Sequence, residues 1–133
     1  MGLNLYNSYI TATSTTVSGT AGDDLITVGA LKPTLTGGAG RDQFAFTGSF
    51  TGGATIADFT PGTNVINLSA VLRAAGVTAA APLDSGHVSC TRSGINDALI
   101  AMDPDAAGPA PRRPLLLLKN VSCTSLNASS FQF

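Results

Sequence analysis

A chain of 133 residues, 44% of them hydrophobic, has the length of one domain and enough apolar content for a packed core, which excludes a disordered chain and a multi-domain enzyme. All 8 acidic residues are Asp, Trp is absent, and 15 glycines accompany many threonines, a profile of turns and short strands rather than helices. The net charge of −1 and the scatter of the 7 basic residues show no electrostatic footprint for nucleic acid or an anionic membrane.

Residues 1–18 have no Lys or Arg and no continuous apolar run, which argues against a cleavable secretory signal; export, if it occurs, needs another route. Here Leu3 and Leu5, then Tyr9, Thr11 and Thr13, alternate as in a half-buried strand. Residues 19–69 are glycine-punctuated with short apolar ends, the pattern of tight turns joined by very short strands. Residues 70–133 begin with a short helix at 70–76, where Asn67 or Ser69 caps the start and Gly76 takes the left-handed terminal position. Next come the strands "HVSCT", "DALIAM", "PLLLLKNVSCT" and "FQF", with the proline-rich loop "DPDAAGPAPRR" among them. The leucine run, Leu115 to Leu118, is far too short to span a bilayer, so a soluble chain without a membrane span is expected. The class is all-β with a minor helix, organised as a single domain over 1–133.

Chemistry concentrates in "GGAGRDQFA" at 37–45 and its weaker echo "GTAGDDLIT" at 19–27. Gly37, Gly38 and Gly40 permit positive φ and a turn whose carbonyls converge, Asp42 adds a carboxylate, and Phe44 turns inward on a short strand. With no His or Cys in the segment, this oxygen-rich donor set suits Ca²⁺ far better than Zn²⁺. If a unit of about nine residues is one turn plus one strand, two units complete a coil. The turns 19–24 and 37–42 then stack on one side, with the ion between them. Gly19, Ala21, Gly22 and Asp24 of the first turn and Gly37, Gly38, Gly40 and Asp42 of the second are the candidate metal residues.

These residues resemble the repeats-in-toxin (RTX) family, whose nonapeptides G-G-x-G-x-D-x-U-x bind Ca²⁺ in a parallel β-roll. Residues 37–45 match at every defined position. Residues 19–27 match with Thr20 in place of the second Gly, keeping Gly19, Gly22, Asp24 and Ile26. The intervening unit "VGALKPTLT" has Leu31 and Pro33 at motif positions and keeps only Leu35, which argues against a metal on the opposite side. "TIADFTPGTNVINLSAVL" at 55–72 is similar to the segment that closes the rolls of serralysin-type C-terminal domains. Asn64 and Asn67 stand where that family has Asp, and Asp58 is retained, implying a second site against the 37–42 turn. The last zone is similar to the C-terminal target region of type I secretion substrates, through "DPDAAG", Leu118-Lys119-Asn120-Val121, and Leu126, Ala128 and Phe131 before Phe133.

Three other groups have plainer readings. Asp103 and Asp105 resemble a carboxylate pair but sit in Asp-Pro-Asp, a turn sequence. His87 is the single histidine; no G-x-S-x-G elbow and no H-E-x-x-H is present, so no catalytic constellation is assigned and the chain is not expected to be an enzyme. Cys90 and Cys123 each sit in "VSCT"; they form a disulfide if their strands are neighbours, or else are two small buried hydrophobes.

The resemblance thus implies a calcium-binding β-roll with a β-rich C-terminal cap. It would fold on Ca²⁺ outside the cell, after a type I secretion transporter has read a C-terminal signal. The rival expectation is an extracellular adhesin or end-domain that contacts a polysaccharide or a surface partner.

Overall fold

A computed structural model describes the chain over residues 6, 8–50, 52–77, 86–103 and 113–133. Seven short strands come first: β1 Ser8–Thr11, β2 Thr16–Ser18, β3 Asp24–Val28, β4 Thr34–Thr36, β5 Gln43–Phe46, β6 Ala54–Ile56 and β7 Val65–Asn67. Helix α1 (Ser69–Ala74) follows, then β8 Val88–Ser93, β9 Asp97–Met102, β10 Arg113–Leu118 and β11 Phe131–Gln132. Odd and even strands of the first half separate into two sheets, as a coiled chain requires. One sheet runs β1-β3-β5-β7-β11 and the other β2-β4-β6-β10-β9-β8. The first is parallel throughout, and the second is parallel from β2 to β10 and antiparallel from β10 through β9 to β8. The fold is an all-β parallel β-roll with a β-rich cap and one short helix.

Register shows the coil directly. Leu25 lies against Gln43, 18 residues on, and Thr16 against Thr34, also 18. The next coil is longer, with Gln43 against Val65 and Thr34 against Thr55. Because side chains alternate across a strand, stacking in register lines up identical faces. Ile26, Phe44, Ile66 and Phe131 form one buried row. Val17, Leu35, Ile56 and Leu118 form the buried row of the other sheet. Each such apolar side chain contributes about 1.5–3 kcal/mol by leaving water. Both rows belong to one hydrophobic cluster that runs on into Ala98, Ile100 and Met102 of the cap.

The cap grows onto both sheets. β10 pairs in parallel with β6, β11 pairs in parallel with β7, and β8 and β9 extend the second sheet outward. Helix α1 buries Val71 and Leu72. Asn67 Oδ1 accepts the Ser69 N–H at 3.0 Å at the helix start, and Gly76 follows its end at φ 78°.

Three expectations change. β1 forms, but Tyr9 is 54% exposed and Ile10 is the residue that packs on the core, so the inward face is the opposite one; Leu3 and Leu5 lie outside the described residues. The strand expected over 114–124 ends at Leu118, and Cys123 sits in a 3₁₀ turn, Cys123–Ser125. Cys90 and Cys123 are nevertheless bridged, with Cα atoms 5.7 Å apart, so the bond joins a strand to a turn rather than two neighbouring strands. Of the proline-rich loop, 104–112 fall outside the described residues, Asp105 among them.

Candidate metal centre

Every turn that leads from an even strand into an odd strand lies on one side of the roll. The turns 19–24, 37–42 and 57–64 therefore stack, and the β3, β5 and β7 register sets Asp24, Asp42 and Asn64 in one row. All three are buried, at 0%, 2% and 2% exposure. The Asp24 N–H donates to Asp42 Oδ1 at 3.0 Å, and the Asp42 N–H donates to Asn64 Oδ1 at 3.0 Å. The Asp42 and Asn64 side chains thus each satisfy the backbone of the coil before their own.

The remaining carboxylate oxygens divide sharply. Asp24 is held within its own turn, where its carboxylate accepts the Thr20 N–H at 2.6 Å and the Thr20 hydroxyl at 2.8 Å. Asp58 accepts the Gly37 and Gly38 N–H groups, each at 2.8 Å, one per oxygen. Asp23 Oδ1 accepts the Arg41 N–H at 2.7 Å. Asp42 Oδ2 is buried with no hydrogen-bond partner; among the described residues it shares that state only with Ser89 Oγ, in the cap. Burial first, then the Asp24, Asp58 and Asp23 charges, push the Asp42 carboxyl up to about 6 against the lowering pull of the Asp24 amide.

Glycine lets the turns close on one another. Gly38 and Gly40 adopt φ 85° and 86°, a region that costs other residues. A Cβ on Gly38 would run into the Thr20 carbonyl, one on Gly40 into the Gly22 carbonyl, and one on Gly19 into the Gly37 carbonyl and Asp24 Oδ2. A Cβ on Gly37 would strike Asp42 Oδ2. Backbone carbonyls of one turn therefore abut the glycines of the next, beside the acidic row.

Sequence reasoning placed Gly19, Gly22, Asp24, Gly37, Gly38, Gly40 and Asp42 together, and the fold brings them together. Ala21 lies exposed, outside the hydrogen-bonded row. Asp58 faces the 37–42 turn as expected, but both its oxygens hold backbone amides. Among the described residues no three or more Asp, Glu, His or Cys side chains converge as a metal cluster, so an ion here must draw on carbonyl oxygens as well. The oxygen-only surroundings and the unpartnered buried Asp42 Oδ2 fit a hard cation. Missed in sequence were Asp23, visible only as the first Asp of "AGDD", and the Thr20 hydroxyl. Asn64 was noticed only as a departure, although it completes the row.

No protein-family model matches the chain, and no curated protein does. A solved structure does: the solution structure of the AlgE6R3 subunit from the Azotobacter vinelandii mannuronan C5-epimerase. It is 22% identical, covering 89% of this chain and 67% of that one, at a TM-score of 0.65. The likeness is one of fold. No described helix is long and apolar enough to cross a membrane.

Proposed function

We propose that this chain is a calcium-binding β-roll module that folds on Ca²⁺ outside the cell and carries a type I export signal in its C-terminal segment. The observation that carries the calcium reading is the buried, unpartnered Asp42 Oδ2, crowded by Asp24, Asp58 and Asp23. A bound cation would supply the positive charge this row lacks. Asp42 and Asp24 would hold it with carbonyls of the 19–24 and 37–42 turns. Ion binding then becomes folding free energy, so the chain is loose where free Ca²⁺ is scarce and compact where it is abundant. Thermal melting with chelator and with millimolar-range Ca²⁺ tests this: the expected result is a calcium-dependent rise in melting temperature, and superimposable curves sink the reading.

The export reading rests on the resemblance of residues 103–133 to type I target regions. With the full chain fused behind a slow-folding passenger, deleting residues 126–133 should stop export by a matching system. Undiminished export of the truncated fusion would make the segment a cap only. Non-enzymatic action is part of the same proposal.

A cleft in the cap favours a second reading, a binding end-domain. About 570 Å³ in volume, it is lined by Arg92, Ile95, Asn96, Asp97, Asn120 and Thr124 among others. Its polar groups are held in place: Arg92 Nε and Nη2 donate to the Ile95 carbonyl at 3.0 and 2.7 Å, and the Asn120 N–H donates to Asp97 at 2.9 Å. Asn120 takes φ 57°, and Ile95 is 77% exposed beside them. The neighbour in fold belongs to an enzyme named for mannuronan, so short mannuronan oligomers are the first probe. Amide shifts confined to Asn96, Asn120 and Thr124 would support the reading, and a flat titration would remove it.

A further inference from the structure

The 121–133 segment is weakly joined to the rest of the chain by its backbone. Among the described residues, the hydrogen bonds of 121–130 stay inside the segment: Ser125 to Ser122, Leu126 to Cys123, Ser130 to Asn127, and the side-chain bonds of Ser122, Thr124, Asn127 and Ser129. β11 then pairs with β7 over two residues, with the Leu68 N–H donating to the Gln132 carbonyl at 2.8 Å. Buried Val121 and Phe131 and half-buried Leu126 supply the apolar hold. At the root, Asp97 accepts the Asn120 N–H and lies 3.4 Å from Lys119 Nζ, an open-faced ion pair of small worth.

The Cys90–Cys123 bond makes the attachment that this backbone lacks. Cys90 is on β8, the outermost strand of one sheet, and Cys123 begins the turn that leads to β11, the outermost strand of the other. Both cysteines are half-buried, so a small reductant has a path to the sulfurs.

We infer that the Cys90–Cys123 disulfide is a redox latch on the C-terminal closing segment. A dithiol reductant breaks the Sγ–Sγ bond by exchange, leaving one thiol on Cys90, one on Cys123, and the reductant as its own disulfide; the two electrons come from the reductant. Reduction releases 123–133 and exposes the β7 edge, while the stacked coils from β1 to β7 keep their register. Reoxidation outside the cell closes the latch. Its bearing on export rests on the reading of 126–133 as the export segment; the latch itself is measurable without a transporter.

Hydrogen exchange of the full chain, oxidised and reduced, at constant Ca²⁺, tests it. Amides of 126–132 should exchange about tenfold faster or more after reduction, with those of β3 and β5 unchanged. The Cys90→Ser, Cys123→Ser chain should match the reduced form without reductant, and carboxypeptidase should trim it from Phe133. Unaltered protection of 126–132, or equal acceleration in tail and roll, overturns the latch, the second outcome making the bond a general staple. In a host with an oxidising cytosol, export of the wild-type fusion should fall while a Cys90→Ser fusion passes. Equal export of both, with the tail released in the purified protein, supports the latch and overturns the export role of the segment.

Discussion

The turns 19–24 and 37–42 are sisters in sequence and opposites in wiring. Both carry Gly-x-Ala-Gly-x-Asp, and both present a buried carboxylate to the same row. In the first, Thr20 stands where the second has Gly38, and its N–H and hydroxyl hold the carboxylate of Asp24. In the second, Gly38 and Gly40 turn left-handed, and the Asp42 carboxylate keeps one oxygen without a partner. Motif quality therefore separates a self-capped turn from an open one. The open turn is also the middle one, packed between neighbours on both sides, so its buried carboxylate meets like charge from both: Asp23 and Asp24 of the turn before and Asp58 of the turn after.

The largest expected effect tests the backbone half of this contrast. Gly38→Ala must hold a side chain at positive φ against the Thr20 carbonyl, and should cost about 2–4 kcal/mol in denaturant unfolding. Gly22→Ala, in the sister turn, has no left-handed φ to maintain and should cost about 1 kcal/mol or less. Equal losses at the two positions would erase the distinction.

Next comes the carboxylate half. At a hundredfold excess of Ca²⁺ over its Kd, binding should stabilise the chain by about 3 kcal/mol, read as a rise in melting temperature. Asp42→Ala should remove most of that rise, and Asp24→Ala and Asp58→Ala smaller parts of it, since both oxygens of Asp24 and of Asp58 already accept hydrogen bonds whereas Asp42 keeps one unpartnered. Without Ca²⁺ the two should part: Asp24→Ala also loses the Thr20 bonds and melts lower, whereas Asp42→Asn relieves crowded charge and does not.

A smaller change would convert one turn into the other. Thr20→Gly removes the hydroxyl bond to Asp24 and should cost about 1 kcal/mol without metal, while freeing a carboxylate oxygen and tightening Ca²⁺ binding in a calorimetric titration. Tighter binding from the unaltered chain would mean that Thr20 helps the site.

The smallest effect is in pH. Asp42 is raised from 3.8 to about 6, so the metal-free folded chain keeps a proton that the unfolded chain has released. That stabilising contribution is complete below the unfolded value and is lost as pH rises through about 6. Protons compete with the ion over the same window, so calcium stabilisation should grow as pH climbs through it. Melting curves across pH, with and without chelator, check both signs, and Asp42→Asn should flatten them.

The fold and half of the candidate site were legible in the residues because a coil repeats its sequence as it repeats in space. A nine-residue period, glycines at fixed offsets and an inward apolar residue are local features, and register carries them directly into stacked rows such as Ile26, Phe44 and Ile66. Tyr9 was misread because alternation alone cannot say which face of a strand meets the core. The Asp row emerged from the spacing of 18; Asn64 did not, because its coil is longer, at 22 residues from Gln43 to Val65.

Local pattern determined the period, the turn positions, the helix near Ser69–Ala74 and the oxygen-rich character of the site, since each depends on residues a few positions apart. Tertiary structure alone decided which carboxylate keeps a free oxygen, where β10 and β11 join the roll, and that Cys90 meets Cys123. Those outcomes depend on groups 18 to 65 residues apart, Asp24 on Asp42 at one end and Ile66 on Phe131 at the other, and only packing of the whole core brings such groups into contact.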